Sequence, residues 1–197
     1  MDATFVNVPK QRNSREENAE IKQGETSADW SDAKSRQKDI DARWVKINDE
    51  THFGYKDHIA ADVDTKLITG YSVTSCEVHD SVELFNLIKK EDQIVYADSA
   101  YRSEKTENKL LHKNKKSKIH EKGKRGKPLT ALQIKRNKKK STIRVKVEHI
   151  FGYMTNSMNG IFIKSVGIMI AKCQIGLKNI TYNLFRLVQL DVKIIMY

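Results

Sequence analysis

The stretch THFGYKDHIAADVDTKLITGYSVTS, residues 51–75, contains two runs of alternating residues separated by a short polar break. In the first run Phe53, Tyr55 and Ile59 fall on one parity, which is typical of a half-buried strand. In the second run Tyr71 and Val73 share a face, and the Asp-Thr-Lys break between the runs is turn-like. The pattern therefore predicts a β-hairpin.

The residues before the hairpin predict one strand and a long polar segment. The first six residues, MDATFV, indicate a short strand that begins abruptly, and we expect half of this strand to be missing. Residues 7–41 have almost no apolar periodicity and predict a surface excursion with one helix near 14–22. A segment this long inside a domain is usually functional or disordered.

The residues after the hairpin predict alternating helices and one further strand. The run at 79–90, HDSVELFNLIKK, indicates a helix that Asp80 or Ser81 can cap, and QIVYA at 93–97 indicates a strand leading into Asp98. A short helix is expected near 104–112, and SKIHE indicates a weak strand. This order is compatible with an RNase H-like α/β sheet, although periodicity alone does not single out that fold.

Two long helices complete the predicted domain. Thr130 can cap the first of them, and its apolar stripe consists of Val147, Ile150, Phe151 and Met154. The last helix is expected over 168–190. Its predicted core face consists of Cys173, Leu177, Ile180, Leu184 and Leu187.

The positive charge of the chain is concentrated in one segment. The chain has a net charge of +11, whereas residues 109–146 hold sixteen lysines and arginines and one acid, Glu121, for a net +15. The other residues therefore net −4, which is +11 minus +15. Such a block indicates a polyanion partner, and the alternative is a solvated charged helix or linker.

The chain also lacks the patterns of a secreted or membrane protein. Cys76 and Cys173 are far apart and outside any metal-binding spacing, so we expect two reduced thiols. No signal peptide is visible, and lysines and an arginine interrupt the apolar stretch 161–190. We expect a soluble, cytoplasmic protein.

Three acids lie at positions where they could converge. Asp2 is in the first strand, Asp98 follows a later strand, and Glu148 lies on the long basic helix. Carboxylates at neighbouring strand ends and on a facing helix could hold Mg²⁺, and two such ions about 4 Å apart can promote phosphodiester chemistry. The alternatives are a solvated strand end for Asp98 and an i, i+4 ion pair with Arg144 for Glu148.

Several motifs together resemble one protein family along nearly the whole chain. They are DATFVNVPKQRNSREEN (2–18), HFGYKDHI (52–59), VTSCEVHDS (73–81), YADSAYRS (96–103), RVKVEHIFG (144–152) and IGLKNITYNLFRLVQL (175–190). In this order they resemble a bacterial insertion-sequence transposase of the DDE class. The catalytic domain is similar to the IS4-like type, and its closest likeness is to the IS-five group.

The resemblance implies a fold, a site and partners. The fold would be an RNase H-like mixed sheet with flanking helices and a truncated first strand, over residues 1–190, with a tail at 191–197. Asp2, Asp98 and Glu148 match the catalytic, metal-binding acids, which would hold two Mg²⁺ ions, with Mn²⁺ as a substitute. The partners would be double-stranded DNA and a second copy, and the protein would lie at the bacterial nucleoid. The expected DNA-binding residues are Arg102, Lys138, Lys139, Lys140, Arg144 and Lys146.

The sequence departs from the family pattern at two kinds of position. Ser141 and Thr155 stand where the family's Tyr-x2-Arg-x3-Glu-x6-Lys signature has tyrosine and lysine. The family also has an N-terminal region before the first aspartate, whereas Asp2 follows Met1 directly. We therefore hypothesise a truncated copy that does not transpose alone. The alternatives are a non-catalytic DNA-binding fragment that modulates a full-length transposase and a nuclease of the same fold.

Overall fold

A computed structural model describes residues 1–26, 29–47 and 49–195 of the 197-residue chain. The strands are β1 (Asp2–Asn7), β2 (Arg43–Ile47), β3 (Glu50–Ala61), β4 (Ile68–Ser75), β5 (Ile94–Val95) and β6 (Lys116–Ser117). The helices are α1 (Arg15–Gln23), α2 (Asp32–Gln37), α3 (Leu84–Leu87), α4 (Glu104–His112), α5 (Ala131–Ser157) and α6 (Ile168–Ile195). The architecture is mixed α/β, with antiparallel and parallel strands and flanking helices, consistent with an RNase H-like transposase domain.

β3 is the central strand of the larger sheet, and the predicted hairpin is its pairing with β4. β3 also pairs antiparallel with β1 and β2, and β1 pairs along its whole length, from Asp2 opposite Ile59 to Asn7 opposite Gly54. The prediction of a half-buried β3 is wrong, because every residue from Phe53 to Ala60 is buried. Other elements cover β3 on both of its faces. The alternation of apolar and polar residues therefore could not predict that both faces are buried.

A short parallel ladder forms the second sheet. β5 pairs with β6, and the ladder continues where the His120 backbone N–H donates to the Ala97 carbonyl at 3.1 Å. The backbone nitrogen of Met1 donates to the Tyr96 carbonyl at 2.8 Å, which joins the start of β1 to the end of β5. The two sheets therefore meet beside Asp2 and Asp98.

α5 begins and packs as its sequence predicts. Thr130 forms a capping box with Gln133, which satisfies backbone N–H groups that the first turn leaves without partners. Val147, Ile150 and Met154 are buried, and they pack with Ile59 of β3 and Tyr182 of α6. The prediction of an apolar stripe on this helix is confirmed.

The side of α6 that packs on the sheet differs from the predicted one. The predicted core face is exposed: Leu177, Ile180 and Leu184 keep 56–59% of their surface accessible. The opposite side is buried instead, with Ala171, Ile175, Asn179 and Tyr182 against the sheet. The helix also continues to Ile195, past the predicted boundary at residue 190. Among the described residues, no helix is long and apolar enough to cross a membrane.

Part of the polar segment 7–41 packs against the core. It holds the predicted helix, α1, and also α2, which the sequence did not indicate. The Asp39 carboxylate accepts hydrogen bonds from the buried Tyr55 hydroxyl at 2.7 Å and from the Gly167 backbone N–H at 3.2 Å. Asp41 accepts the Ile168 N–H at 2.9 Å. These acids bind the first turn of α6, where unpaired N–H groups and the helix dipole favour negative charge.

One carboxyl group lies inside the core, between β3 and α6. Asp57 is fully buried, and one of its oxygens accepts a hydrogen bond from Asn179 Nδ2 at 3.2 Å. Its other oxygen and Asn179 Oδ1 have no hydrogen-bond partner among the described residues. Burial raises the pKa of Asp57 from its ordinary value of 3.8 to about 7.

Candidate active site

Two of the three predicted acids share one arginine. Arg144 Nη1 lies 3.2 Å from Asp2 Oδ2, and Arg144 Nη2 pairs with Glu148 Oε1 one turn further along α5. Asp2 and Glu148 are separated by most of the chain, and the contact between α5 and β1 brings them together. The predicted Arg144–Glu148 ion pair is confirmed. Burial raises the pKa of Asp2, and the nearby Glu148 adds to this effect, whereas Arg144 opposes it.

Asp98 lies at the end of β5, on the neighbouring sheet. Its carboxylate accepts a hydrogen bond from the Ser99 backbone N–H at 2.6 Å, which caps a 3₁₀ turn over Ser99–Tyr101. The other contact is His120, whose Nδ1 lies 3.5 Å from Asp98 Oδ1. His120 in turn faces Ser141 Oγ at 3.4 Å on α5. Asp98 is therefore a turn cap that also belongs to a polar group between the parallel ladder and α5.

Tyr101 lies beneath the acids. Its side chain is 2% exposed, and its hydroxyl has no hydrogen-bond partner among the described residues. Burial raises the pKa of this hydroxyl, and the negative charges of Asp80, Asp2 and Asp98 raise it further. Tyr101 packs in the cluster around Leu84, Val95 and Leu110, so its ring belongs to the core beneath the site.

Asp80 has a different role from the predicted helix cap. His79 caps the 3₁₀ turn over Asp80–Val82, with its ring nitrogen accepting from the Ser81 N–H at 3.3 Å. Asp80 instead pairs with Lys56 at 2.9 Å, and the Lys56 side chain is only 8% exposed. A paired, hydrogen-bonded lysine can be buried where a lone one could not. This ion pair fixes the turn that packs against the turn after Asp98.

The three acids suit a hard cation in their chemistry. Carboxylate oxygens are the ligands that Mg²⁺ prefers. Among the described residues, however, no three His, Cys, Asp or Glu side chains lie close enough together to hold a metal ion. The Arg144 guanidinium lies between Asp2 and Glu148 and neutralises them, as a bound cation would. The assignment of Asp2, Asp98 and Glu148 as metal ligands therefore stays a prediction.

The predicted DNA-binding residues divide into two groups. Lys138 and Lys139 have exposed side chains on α5. Lys140 Nζ donates to the Ile119 carbonyl at 2.9 Å, and Lys146 Nζ to the Val63 carbonyl at 2.9 Å. Arg102 likewise donates to the Ile119 carbonyl at 3.1 Å. Lys140 therefore joins α5 to the segment after β6, and Lys146 joins α5 to the turn after β3. Arg102 joins the turn before α4 to the segment after β6.

Sequence reasoning did not identify His120 or Lys56 as part of this region. The sequence places His120 in a predicted weak strand. No local pattern indicates that this histidine lies beside Asp98, which follows the neighbouring strand. The parallel register supplies the missing signal, since the Ala97–His120 pair brings His120 beside Asp98. Lys56 lies on the face of β3 that the alternation predicts to be exposed. This face is buried in the structure, so the Lys56 charge needs an acid partner, Asp80.

Comparison with known proteins identifies the family of the chain. The family described as Transposase DDE domain matches residues 1–184. The chain is 31% identical over 155 residues to the transposase for insertion sequence element IS1106 of Neisseria meningitidis serogroup B. This alignment covers 76% of the chain and 52% of the relative, so the chain spans about half the length of that relative. No solved structure matches the chain. The chain belongs to the DDE transposase family of bacterial insertion sequences.

Proposed function

We propose that this protein is the catalytic part of a transposase that cleaves DNA strands and joins them to a target, with Mg²⁺ as the metal. The observation that carries the proposal is the convergence of Asp2 and Glu148 on Arg144, with Asp98 in the turn that follows β5. The membership of the DDE transposase family supports the reaction class.

Each acid would act as a carboxylate ligand on a rigid element. Asp2 is held by the β1–β3 pairing, Glu148 by α5, and Asp98 by its own turn. The bound metal would supply Lewis acidity for an in-line displacement at phosphorus. Arg144, released from the carboxylates, would offer a planar fork of donors that suits a phosphate.

The basic segment 109–146 would hold the DNA backbone without reading its sequence. Lys138 and Lys139 are exposed on α5, the helix that also carries Glu148. Neutralising several phosphates releases counterions, so affinity should fall linearly in a log–log plot against salt concentration. We propose that the protein acts at the nucleoid and assembles on DNA as a homodimer.

A second candidate function is a non-catalytic DNA-binding protein that modulates a longer transposase. The observation that favours it is that Arg144 already neutralises two of the acids. In this case the exposed lysines would still bind DNA, and the acids would have a structural role.

A nicking assay on supercoiled plasmid separates the two candidates. We expect the full chain with Mn²⁺ or Mg²⁺ to nick the plasmid, and Asp98→Asn to bind DNA equally well without nicking. Asp32→Asn, an exposed acid on α2, is the matched control and should behave like the wild type. Equal nicking by the wild type and Asp98→Asn would contradict the catalytic proposal, whereas DNA binding without nicking in every variant would support the second candidate.

Metal binding can be measured separately by thermal unfolding. A ligand that binds only the native state stabilises it by about 2.7 kcal/mol at a hundredfold excess over Kd. Mn²⁺ should therefore raise the melting temperature of the wild type and of Asp32→Asn, and have little effect on Asp98→Asn. An equal shift in all three proteins would place the metal elsewhere.

A further inference from the structure

α6 has a second apolar side that no other element of the described part of the chain covers. Cys173, Leu177, Ile180, Leu184 and Leu187 lie on the side of the helix opposite Ala171, Ile175, Asn179 and Tyr182, which face the sheet. We call these five residues the outer seam. All five are exposed, and the four aliphatic side chains keep 44–59% of their surface accessible.

The spacing of the outer seam is that of a helix that pairs with another helix. Its residues are separated by four, three, four and three positions, which is the alternation of the a and d positions of a coiled coil. The repeat ends at Asp191, where the next apolar residue would stand.

The extent of the exposed surface also fits a protein interface. Met169, Ile170 and Val188 extend the outer seam and are 48–74% exposed. Together with the seam they expose on the order of 800 Å² of surface, which is the same order as the area that each partner buries in a standard interface. A single exposed leucine would need no explanation, whereas a continuous apolar patch of this size marks an interaction site.

The charges beside the outer seam permit two identical chains to meet there. Two copies with a net charge of +11 repel each other over most of their surface. The positions that flank the seam, where coiled coils place charged residues, hold Gln174, Gly176, Thr181 and Asn183. Because none of these side chains is charged, like-charge repulsion is absent at the contact itself.

We propose that the outer seam of α6 pairs with the same seam of a second copy, forming a two-fold symmetric dimer that does not require DNA. A two-fold interface uses the same patch on both subunits, and a single apolar seam is such a self-complementary patch. The proposal names the surface for the homodimer proposed above, and it is tested without DNA or metal. Its failure would therefore leave the catalytic proposal untouched.

Molar mass in solution tests the proposal directly. We expect light scattering during size-exclusion chromatography to give twice the chain mass at micromolar concentrations for the wild type. Leu177→Glu should halve this value while its circular dichroism stays unchanged, because Leu177 is 59% exposed. Leu111→Glu is the matched control, since Leu111 is 73% exposed on α4, and it should remain dimeric. A wild type of single-chain mass at all concentrations, or an unaffected mass in Leu177→Glu, would overturn the proposal.

Thiol reactivity gives a second measurement that does not depend on mass. Cys173 is exposed within the seam, whereas Cys76 is buried, so an aromatic disulfide reagent should modify Cys173 first. We expect its rate to fall as the wild-type concentration rises, and to be independent of concentration in Leu177→Glu. A concentration-independent rate in the wild type, or binding of a monomeric chain to anionic lipid vesicles through this face, would count against pairing between copies.

Discussion

Replacing Asp57 by asparagine should stabilise the protein at alkaline pH. Asp57 is buried against Asn179, and one oxygen of each side chain has no partner among the described residues. A neutral carboxylic acid could donate its proton to Asn179 Oδ1, and an asparagine at position 57 could donate an N–H in the same place. The substitution therefore imitates the protonated acid and removes a buried charge.

The size and sign of the effect follow from the pKa of Asp57, which burial raises from 3.8 to about 7. A raised pKa in the folded state contributes stability that is complete below pH 3.8 and is lost as the pH rises through 7. Each pKa unit corresponds to 1.36 kcal/mol, so between pH 5 and pH 8 the wild type should lose about 3 kcal/mol through this group. Asp57→Asn should not show this loss.

Urea unfolding at pH 5 and at pH 8 measures the difference. The quantity to compare is the change in unfolding free energy between the two pH values, because other groups titrate in every variant. Asp32→Asn, an exposed control, should follow the wild type. If Asp57→Asn loses as much stability as the wild type between pH 5 and pH 8, the carboxyl group is not buried as described and the reasoning is wrong.

Three further predictions concern the sheet, the long helix and the acids. Gly54→Ala should cost about 1–3 kcal/mol in urea unfolding, because residue 54 has φ +144° and a Cβ would overlap the Val6 carbonyl oxygen. Thr130→Ala should cost about 1 kcal/mol through the lost cap of α5, and Thr130→Ser should restore most of it; an unchanged midpoint in Thr130→Ala would contradict the capping role. Arg144→Gln should lower the melting temperature without metal and enlarge the shift that Mn²⁺ produces, because Asp2 and Glu148 then face each other without a cation. A smaller Mn²⁺ shift than in the wild type would contradict this view of Arg144.

Local signals in the sequence were sufficient for the elements whose stability is local. The start of α5 needs only a threonine and a glutamine at capping-box spacing, and its buried stripe needs only helical periodicity. The hairpin of β3 and β4 likewise follows from alternation and a turn. These features depend on residues a few positions apart, which is the range that a sequence pattern reports.

The remaining features depend on contacts that are distant in the chain. α6 has two apolar sides, and periodicity could not decide which one faces the sheet. Asn179 and Tyr182 lie inside because Asp57 and the Lys66 carbonyl provide partners for them. In the same way, the resemblance to a family assigned Asp2 and Glu148 to one site. Their shared contact with Arg144 could not be predicted, because it depends on the packing of α5 on β1. The assignment of the three acids as metal ligands remains a prediction.

Asp39 and Asp41 bind the start of α6, a helix that the ribosome makes long after it has made these two acids. Val6 and Phe53 share one core with Ala171 and Ile175, so early and late segments of the chain complete each other. About 100 residues separate the end of β4 from Ile175, and translation at about 5–20 residues per second takes roughly 5–20 s to supply them. During this interval the nascent sheet presents an uncovered apolar face. The ribosome-bound chain should therefore recruit a chaperone until α6 emerges and closes the domain.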